Sequence, residues 1–306
     1  MLRVTRVSTS RGALGVLEWG IDGPVVVLLH PNGFCAGLYE PVAELLRADA
    51  HVIAIDLPGH GASTTPDDRA DLDFEVMAAR VLEALDALGV RSAAVAGGSL
   101  GGAVAVLADK LDPGRWTRAV LAEAVAFPTD GLTEEVRGGA EGPRRDGNGM
   151  AEQARRRRPG FADEAAMVES LSKRPPVSEL APEALAAYAR WGTVASADGI
   201  RLACTPETEA TIFEVSAERG GAQAAWDHLP HLSCPATILA GRRSFLPDVF
   251  TEQAHRASAG IEFVDGGHFV LHEDSARGAD LIRRHALAID ADAASPNITY
   301  GDHRYA

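Results

Sequence analysis

Positive charge is what this chain is shortest of: 29 Lys and Arg stand against 43 Asp and Glu in 306 residues, a formal charge of −14. A phosphate backbone or an anionic bilayer attracts the opposite sign, so neither nucleic acid nor membrane is expected as a partner. Long apolar runs are missing too. Val25–Leu29 is a typical one, far below the roughly 18 residues that span a bilayer. Met1-Leu2-Arg3-Val4-Thr5-Arg6 leads into no apolar segment of the secretory kind, and a cytoplasmic protein is the expectation. Cysteine is scarce as well. Cys35, Cys204 and Cys234 are an odd set without paired spacing, giving neither a disulfide framework nor a cysteine-based zinc site.

What is present is the material of a core: 46% of the residues are hydrophobic. At roughly 150 residues per domain the length allows two domains, or one large α/β domain with an insertion. Val25-Val26-Val27-Leu28-Leu29, bounded by Gly23-Pro24 and Pro31-Asn32-Gly33, reads as a strand buried on both faces. His51–Asp56, Ala93–Ala96 and Arg118–Glu123 repeat the pattern. Between them Phe74, Met77, Val81, Leu85 and Leu88 recur at helical spacing and stop at Gly89, a C-terminal cap. Strand and helix alternate, which predicts a parallel sheet.

After Phe127 the pattern breaks. Gly131–Gly160 is rich in Gly, Arg, Glu and Pro, while Pro175, Pro176 and Pro182 punctuate helical stretches. No strand candidate stands out before Ala236–Ala240, so residues 128–232 are expected to form a mostly helical insertion. Its segment Gly138–Gly160 has few apolar anchors and is expected to be mobile. Ile261–Asp265 is a further strand, followed by a closing helix through Leu281, Ile282 and Leu287. Residues 1–127 and 233–292 then make up the core, with 293–306 as a loose tail.

Ala96-Gly97-Gly98-Ser99-Leu100-Gly101-Gly102 follows an apolar strand and opens the helical stretch Ala103–Leu111. Gly97-x-Ser99-x-Gly101 at such a junction is the nucleophile-elbow pattern. Small residues are needed on both sides because the serine occupies a tight turn where side chains would strike the neighbouring strand and helix. The turn also sets Ser99 at a helix N-terminus, which favours developing negative charge. A serine needs an imidazole to activate it. Gly266-Gly267-His268-Phe269 leaves the C-terminal end of a strand, where open α/β sheets keep their sites. His272 is expected to be a surface or helix-cap residue, and His60 to make structural hydrogen bonds in the turn after Asp56.

These residues resemble the α/β-hydrolase family along nearly the whole chain. Leu28-Leu29-His30-Pro31-Asn32-Gly33-Phe34 is similar to its oxyanion loop, and Asp56-Leu57-Pro58-Gly59-His60-Gly61-Ala62-Ser63 to its DxxGxGxS turn. Gly97–Gly101 resembles its elbow and Gly267-His268 its histidine loop. The resemblance implies a mostly parallel sheet flanked by helices, with residues 128–232 as a cap that roofs the pocket and sets substrate choice. It places the oxyanion hole at the backbone N–H groups of Asn32 and Leu100. Two departures stand out: Pro31 replaces the usual glycine after the histidine, and Gly98 the frequent histidine before the serine. Phe34, Gly98 and Trp191 are the expected substrate contacts. Arg155-Arg156-Arg157-Arg158 could meet an anionic group, but a run ending at Pro159 reads as a solvated helix end.

The acid departs most from that pattern. In most members a strand like Thr237–Gly241 is followed within three residues by the aspartate that orients the histidine, and here the stretch reads Gly241-Arg242-Arg243-Ser244. Glu123, at the end of the strand after the elbow helix, keeps the order Ser99, Glu123, His268; haloalkane dehalogenases and zearalenone-type lactonases resemble this arrangement. Asp248 is the runner-up. The expected activity is hydrolysis of a small-molecule ester or lactone through an acyl-enzyme, without cofactor or metal. Acyl transfer, cyclisation or lyase chemistry at the same site is the alternative, and a ligand-binding module that keeps the triad is another. Ser99 itself excludes an aspartate nucleophile.

Overall fold

Within each buried strand, alternate side chains go to opposite faces of one sheet. Val27 and Leu29 join one apolar cluster, and Val26 and Leu28 the other. The computed structural model describes residues 2–128, 147–244 and 246–289. Its first six strands are β1 (Leu2–Thr9), β2 (Gly12–Trp19), β3 (Val25–Leu29), β4 (His51–Ile55), β5 (Ala93–Gly98) and β6 (Trp116–Ala122). The inserted segment adds β7 (Gly160–Phe161), β8 (Thr193–Ser196) and β9 (Gly199–Leu202), and the core resumes with β10 (Ala236–Gly241) and β11 (Gly260–Val264). The main sheet runs β1-β2-β4-β3-β5-β6-β10-β11. From β4 to β11 all neighbours pair in parallel, and β1 and β2 add an antiparallel hairpin at one edge.

Helices cover both faces. In the core these are α1 (Glu40–Leu46), α2 (Phe74–Ala87) and α3 (Leu100–Leu111). The insertion supplies α4 (Gly147–Arg155), α5 (Glu164–Leu171), α6 (Pro182–Trp191), α7 (Pro206–Arg219) and α8 (Gly221–His228), before α9 (Pro247–Arg256) and α10 (Ser275–Ile282) complete the core. The expected helix from Phe74 forms because Asp73 caps it, accepting from the amides of Glu75 and Val76, and it stops where Gly89 takes φ 75°.

The insertion is mostly helical as expected, and two details need correction. It also holds strands where none was expected: β7, β9 and β8 make a three-stranded antiparallel sheet. Its hairpin turns through Ala197 and Asp198 into Gly199 at φ 122°, an Asp-Gly turn signal between strands too short to show in the apolar pattern. The expected mobile segment is packed where it is described, with Ala151 and Ala154 of α4 buried against Ala210 of α7. Residues 138–146 of it, and the expected tail 293–306, lie outside the described residues.

Buried imidazoles position the loop that follows β3. His30 Nε2 accepts from the amide of Leu57 at 2.9 Å, and His60 Nε2 accepts from the amide of Gly33 at 3.1 Å. Each ring has its other nitrogen on a carbonyl, Pro31 O for His30 and Pro58 O for His60, so both are satisfied in the neutral state. Burial lowers the pKa of His30 well below its ordinary value, and lowers His60 to about 4. The structural role expected of His60 is thus what it has. Asp56 of the same region accepts from the amides of Ala36 and Ala62, and burial raises its pKa to about 6.

His272 departs from its expected place at the surface or a helix cap. It is 1% exposed, and α10 begins only at Ser275, capped by Asp274. Its ring lies against Tyr39 at 4.4 Å, and burial lowers its pKa to about 3.

These shifts fix how stability depends on acidity. A histidine held neutral in the native state takes up its proton only after unfolding, so its contribution is present above about pH 6.5 and is lost as pH falls toward its folded value. Asp56 acts in the opposite sense below pH 6, one carboxyl against the three imidazoles of His30, His60 and His272. The unfolding free energy from urea titrations should therefore fall steadily between pH 7 and pH 4.5. A flat profile over that range would show that these rings titrate normally.

Candidate active site

β5 ends at Gly98 and α3 begins at Leu100, leaving Ser99 in the turn with φ 51° and ψ −115°. That backbone is strained for any residue with a Cβ, and it persists only because its surroundings impose it. The strand before it and the helix after it are so close that a Cβ on Gly97 would strike the carbonyl of Gly101, and one on Gly101 the carbonyl of Leu29. Ser99 is also laced to the next strand: its amide donates to Ala122 O at 2.9 Å, and its carbonyl accepts from Val125 N at 3.1 Å. The hydroxyl is thereby presented half-buried at the C-terminal end of the sheet.

Glu123 follows β6 directly and is itself at φ 49°. Its side chain is fully buried and reaches across the end of β10. Oε1 accepts from Gly241 N at 2.8 Å; Oε2 accepts from Ser244 Oγ at 3.0 Å and faces His268 Nδ1 at 2.7 Å. Three hydrogen bonds satisfy a carboxylate that is otherwise out of water. Because the carboxylate is an acceptor, Nδ1 carries the proton that faces it, and the other ring nitrogen, Nε2, is the one able to take a proton from a substrate or a hydroxyl. Gly241 makes the crossing possible, since a Cβ there would strike the carbonyl of Gly267.

The loop that carries His268 is fixed from below. Glu273 accepts from Gly267 N and Phe269 N at 2.9 to 3.0 Å. Glu273 and Ser244 are the contributors the sequence reading missed. Ser244 had a visible signal, a hydroxyl in the stretch after β10 where the aspartate is lacking. Asp248, the other candidate acid, is exposed in the first turn of α9.

Asn32 follows β3, the strand paired with β5, and Leu100 follows Ser99 directly. The amide of Leu100, first residue of α3, is one of those a helix leaves without an intrahelical acceptor. Asn32 belongs to a turn closed by Phe34 N to Pro31 O at 3.3 Å, with Gly33 at φ 78°. Phe34 is buried between Tyr188 and Phe269, at ring distances of 4.7 and 5.1 Å. Gly98 lines a narrow cleft of about 10 Å³, together with Pro31, Ala122 and the segment from His268 to His272. Trp191 sits on another side of the loop, its indole over Gly37 and its Nε1 donating to Glu40.

Of the arginine run, Arg155, Arg156 and Arg158 are solvated as expected, but Arg157 is not. Its guanidinium pairs with Glu209 of α7 and donates to Tyr188 Oη at 2.9 Å, beside the Asn32-Gly33 turn. All three cysteines are free thiols. Among the described residues no helix is long and apolar enough to cross a membrane, and no three His, Cys, Asp or Glu are placed to share a metal ion.

Comparison with known proteins gives the same frame. A 98-residue stretch is 40% identical to a pimeloyl-[acyl-carrier protein] methyl ester esterase of Methylococcus capsulatus, covering 32% of this chain and 36% of that protein. A 127-residue stretch is 35% identical to the dihydrolipoyllysine-residue acetyltransferase component of an acetoin cleaving system from Pseudomonas putida, covering 40% and 32%. These curated relatives are thus matched over about a third of their length. Among solved structures, an E-2-(acetamidomethylene)succinate hydrolase superposes with a TM-score of 0.78 at 20% identity, over 93% of this chain and 99% of that one. The thioesterase domain of the curacin biosynthetic pathway gives 0.73 at 21%, over 92% and 99%. At these identities the likeness is one of fold. The model of the alpha/beta hydrolase family matches residues 26–281, and with a strained serine between β5 and α3 on a largely parallel sheet, the chain belongs to that family.

Proposed function

We propose that this hydrolase cleaves a carboxylic ester or lactone, with Ser99 as nucleophile, His268 as base and acid, and Glu123 as the anion behind the imidazole. The observation that carries the reading is the 2.7 Å approach of His268 Nδ1, on the loop after β11, to the buried carboxylate of Glu123, which ends the strand next to the Ser99 elbow. The Ser99 to His268 contact is the part of the relay that the proposal adds. An esterase among the relatives and a thioesterase among the folds support acyl chemistry as the class.

The steps follow from the atoms. Ser99 Oγ attacks the carbonyl carbon while His268 Nε2 takes its proton, and the imidazolium is held by Glu123. The negative charge that develops on the carbonyl oxygen meets the amides of Asn32 and Leu100, and the dipole of α3 points the same way. Collapse expels the alkoxide, which leaves with the proton from His268. A water then gives its proton to His268 and its oxygen to the acyl carbon, and Ser99 recovers its proton as the acid departs. The acyl group rests against Gly98 and Phe34.

Ser99→Ala should lower kcat by about 10⁶-fold, as removal of a nucleophilic serine does elsewhere. A fluorophosphonate should label Ser99 and no other residue. Full activity in the alanine variant, or an unlabelled Ser99, would end the serine-hydrolase reading.

The position of the acid is tested separately. Glu123→Gln should cut kcat by about 10² to 10⁴-fold while the protein remains folded, and Ser244→Ala by about tenfold through loss of one hydrogen bond to a charged group. Asp248→Asn should match the wild type. If Asp248→Asn is the damaging change in kinetic assays, the acid lies on α9 instead.

A further inference from the structure

The turn that carries the Asn32 amide is gripped from two bodies of the chain. From the core, His60 accepts from Gly33 N at 3.1 Å. From the insertion, Tyr188 Oη donates to Gly33 O at 2.8 Å, and Arg157 Nη1 reaches the same oxygen at 3.5 Å. Asn32 Nδ2 donates to the backbone carbonyl of Glu209 at 3.2 Å. Arg157 ties these groups together, since one nitrogen pairs with the Glu209 carboxylate while the other donates to Tyr188 Oη. The fit leaves no slack: a Cβ on Gly33 would come within 2.6 Å of Arg157 Nη1.

Arg157 and Glu209 are 20% and 12% exposed at their side chains, so the pair gives up much of its hydration. Pairs of this kind can often be replaced by apolar residues of similar volume without loss of stability. What apolar residues do not reproduce is direction. A guanidinium is a rigid planar fork that fixes two partners at once, here a carboxylate on α7 and a phenol on α6. Oxyanion stabilisation depends on donors held at 2.7 to 3.1 Å from where the charge develops, and a misplacement of about 1 Å can cost on the order of 10²-fold in rate.

We infer that Arg157, acting through Tyr188 and Glu209, is a positioning residue for the oxyanion amide of Asn32, so that the insertion governs kcat and not only which substrates enter. The inference rests on the hydrolase reading. Arg157 touches neither substrate nor reacting atoms; it holds the turn that does.

The test compares wild type with Arg157→Met, Arg157→Lys, Tyr188→Phe and the double change Arg157→Met with Glu209→Met. Each is measured for kcat and KM on 4-nitrophenyl butyrate, for inhibition by an alkyl trifluoromethyl ketone, whose adduct with Ser99 bears the oxyanion, and for thermal midpoint. The double variant should keep the wild-type midpoint to within a few degrees yet lose about 10- to 100-fold in kcat, with KM within threefold and the ketone weakened by the same factor as kcat. Arg157→Lys, which keeps charge but not the fork, should show the same kinetic loss, and Tyr188→Phe a smaller one. If Arg157→Met fails to fold, the lysine and phenylalanine variants decide. Wild-type kcat in the double variant, or a loss confined to KM, overturns the inference while the hydrolase reading stands. Failure of wild-type Ser99 to react with a fluorophosphonate overturns both.

Discussion

A carboxylate sealed beneath the end of a β-sheet has to be met by donors, and much of the site can be read as the way Glu123 meets that demand. Its three partners come from the two strands beyond β6: Gly241 N and Ser244 Oγ where β10 ends, and His268 where β11 ends. Reaching them requires a left-handed backbone at Glu123 and no side chain at Gly241, and both conditions are present. Ser99 is the strained partner on the other side, its amide and carbonyl laced to residues flanking Glu123. Two costly backbone conformations thus sit side by side, each held by hydrogen bonds to the other's segment.

The turn after β3 is organised by a different principle. On the core side it leans on imidazoles kept neutral by burial, which contribute hydrogen bonds without adding charge to the turn. On the insertion side it leans on a paired charge, whose geometry is stiff and whose net field is small. Acidic residues of α7 form surface ion pairs as well, Glu207 and Glu214 with Arg155 inside the insertion, and Glu214 and Glu218 with Arg69 of the core. Such exposed pairs contribute little individually, so the apolar contacts of Phe34, Tyr188 and Phe269 hold the two bodies together at the turn.

The sequence made the frame readable wherever burial is two-sided. β3, β4, β5 and β10 are largely buried on both faces, and short apolar runs between turn residues leave little room for another reading. Glu123 was readable through a gap, since an imidazole needs an anion and the stretch after β10 has none to offer. The β1–β2 hairpin was not readable, because much of β1 is exposed and its side chains mix charge and hydroxyl with valine. Arg157 was hidden for a related reason. Four consecutive arginines look alike in one dimension, and only the helix end decides which of them turns inward. His272 falls in the loop and not at a helix start, because α10 begins only after its cap, Asp274.

The two borders of the main sheet are dressed in charge. β1 carries Arg3, paired with Glu18, and Arg6, which reaches Thr64; at the far side Glu262 of β11 is clasped by Arg284 and His285. A foreign strand adding to either border would have to strip water from these groups or break their pairs. The hydrogen-bonding rims of a long, otherwise apolar sheet are in this way made poor templates for self-assembly, a safeguard against aggregation that is independent of the chemistry at Ser99.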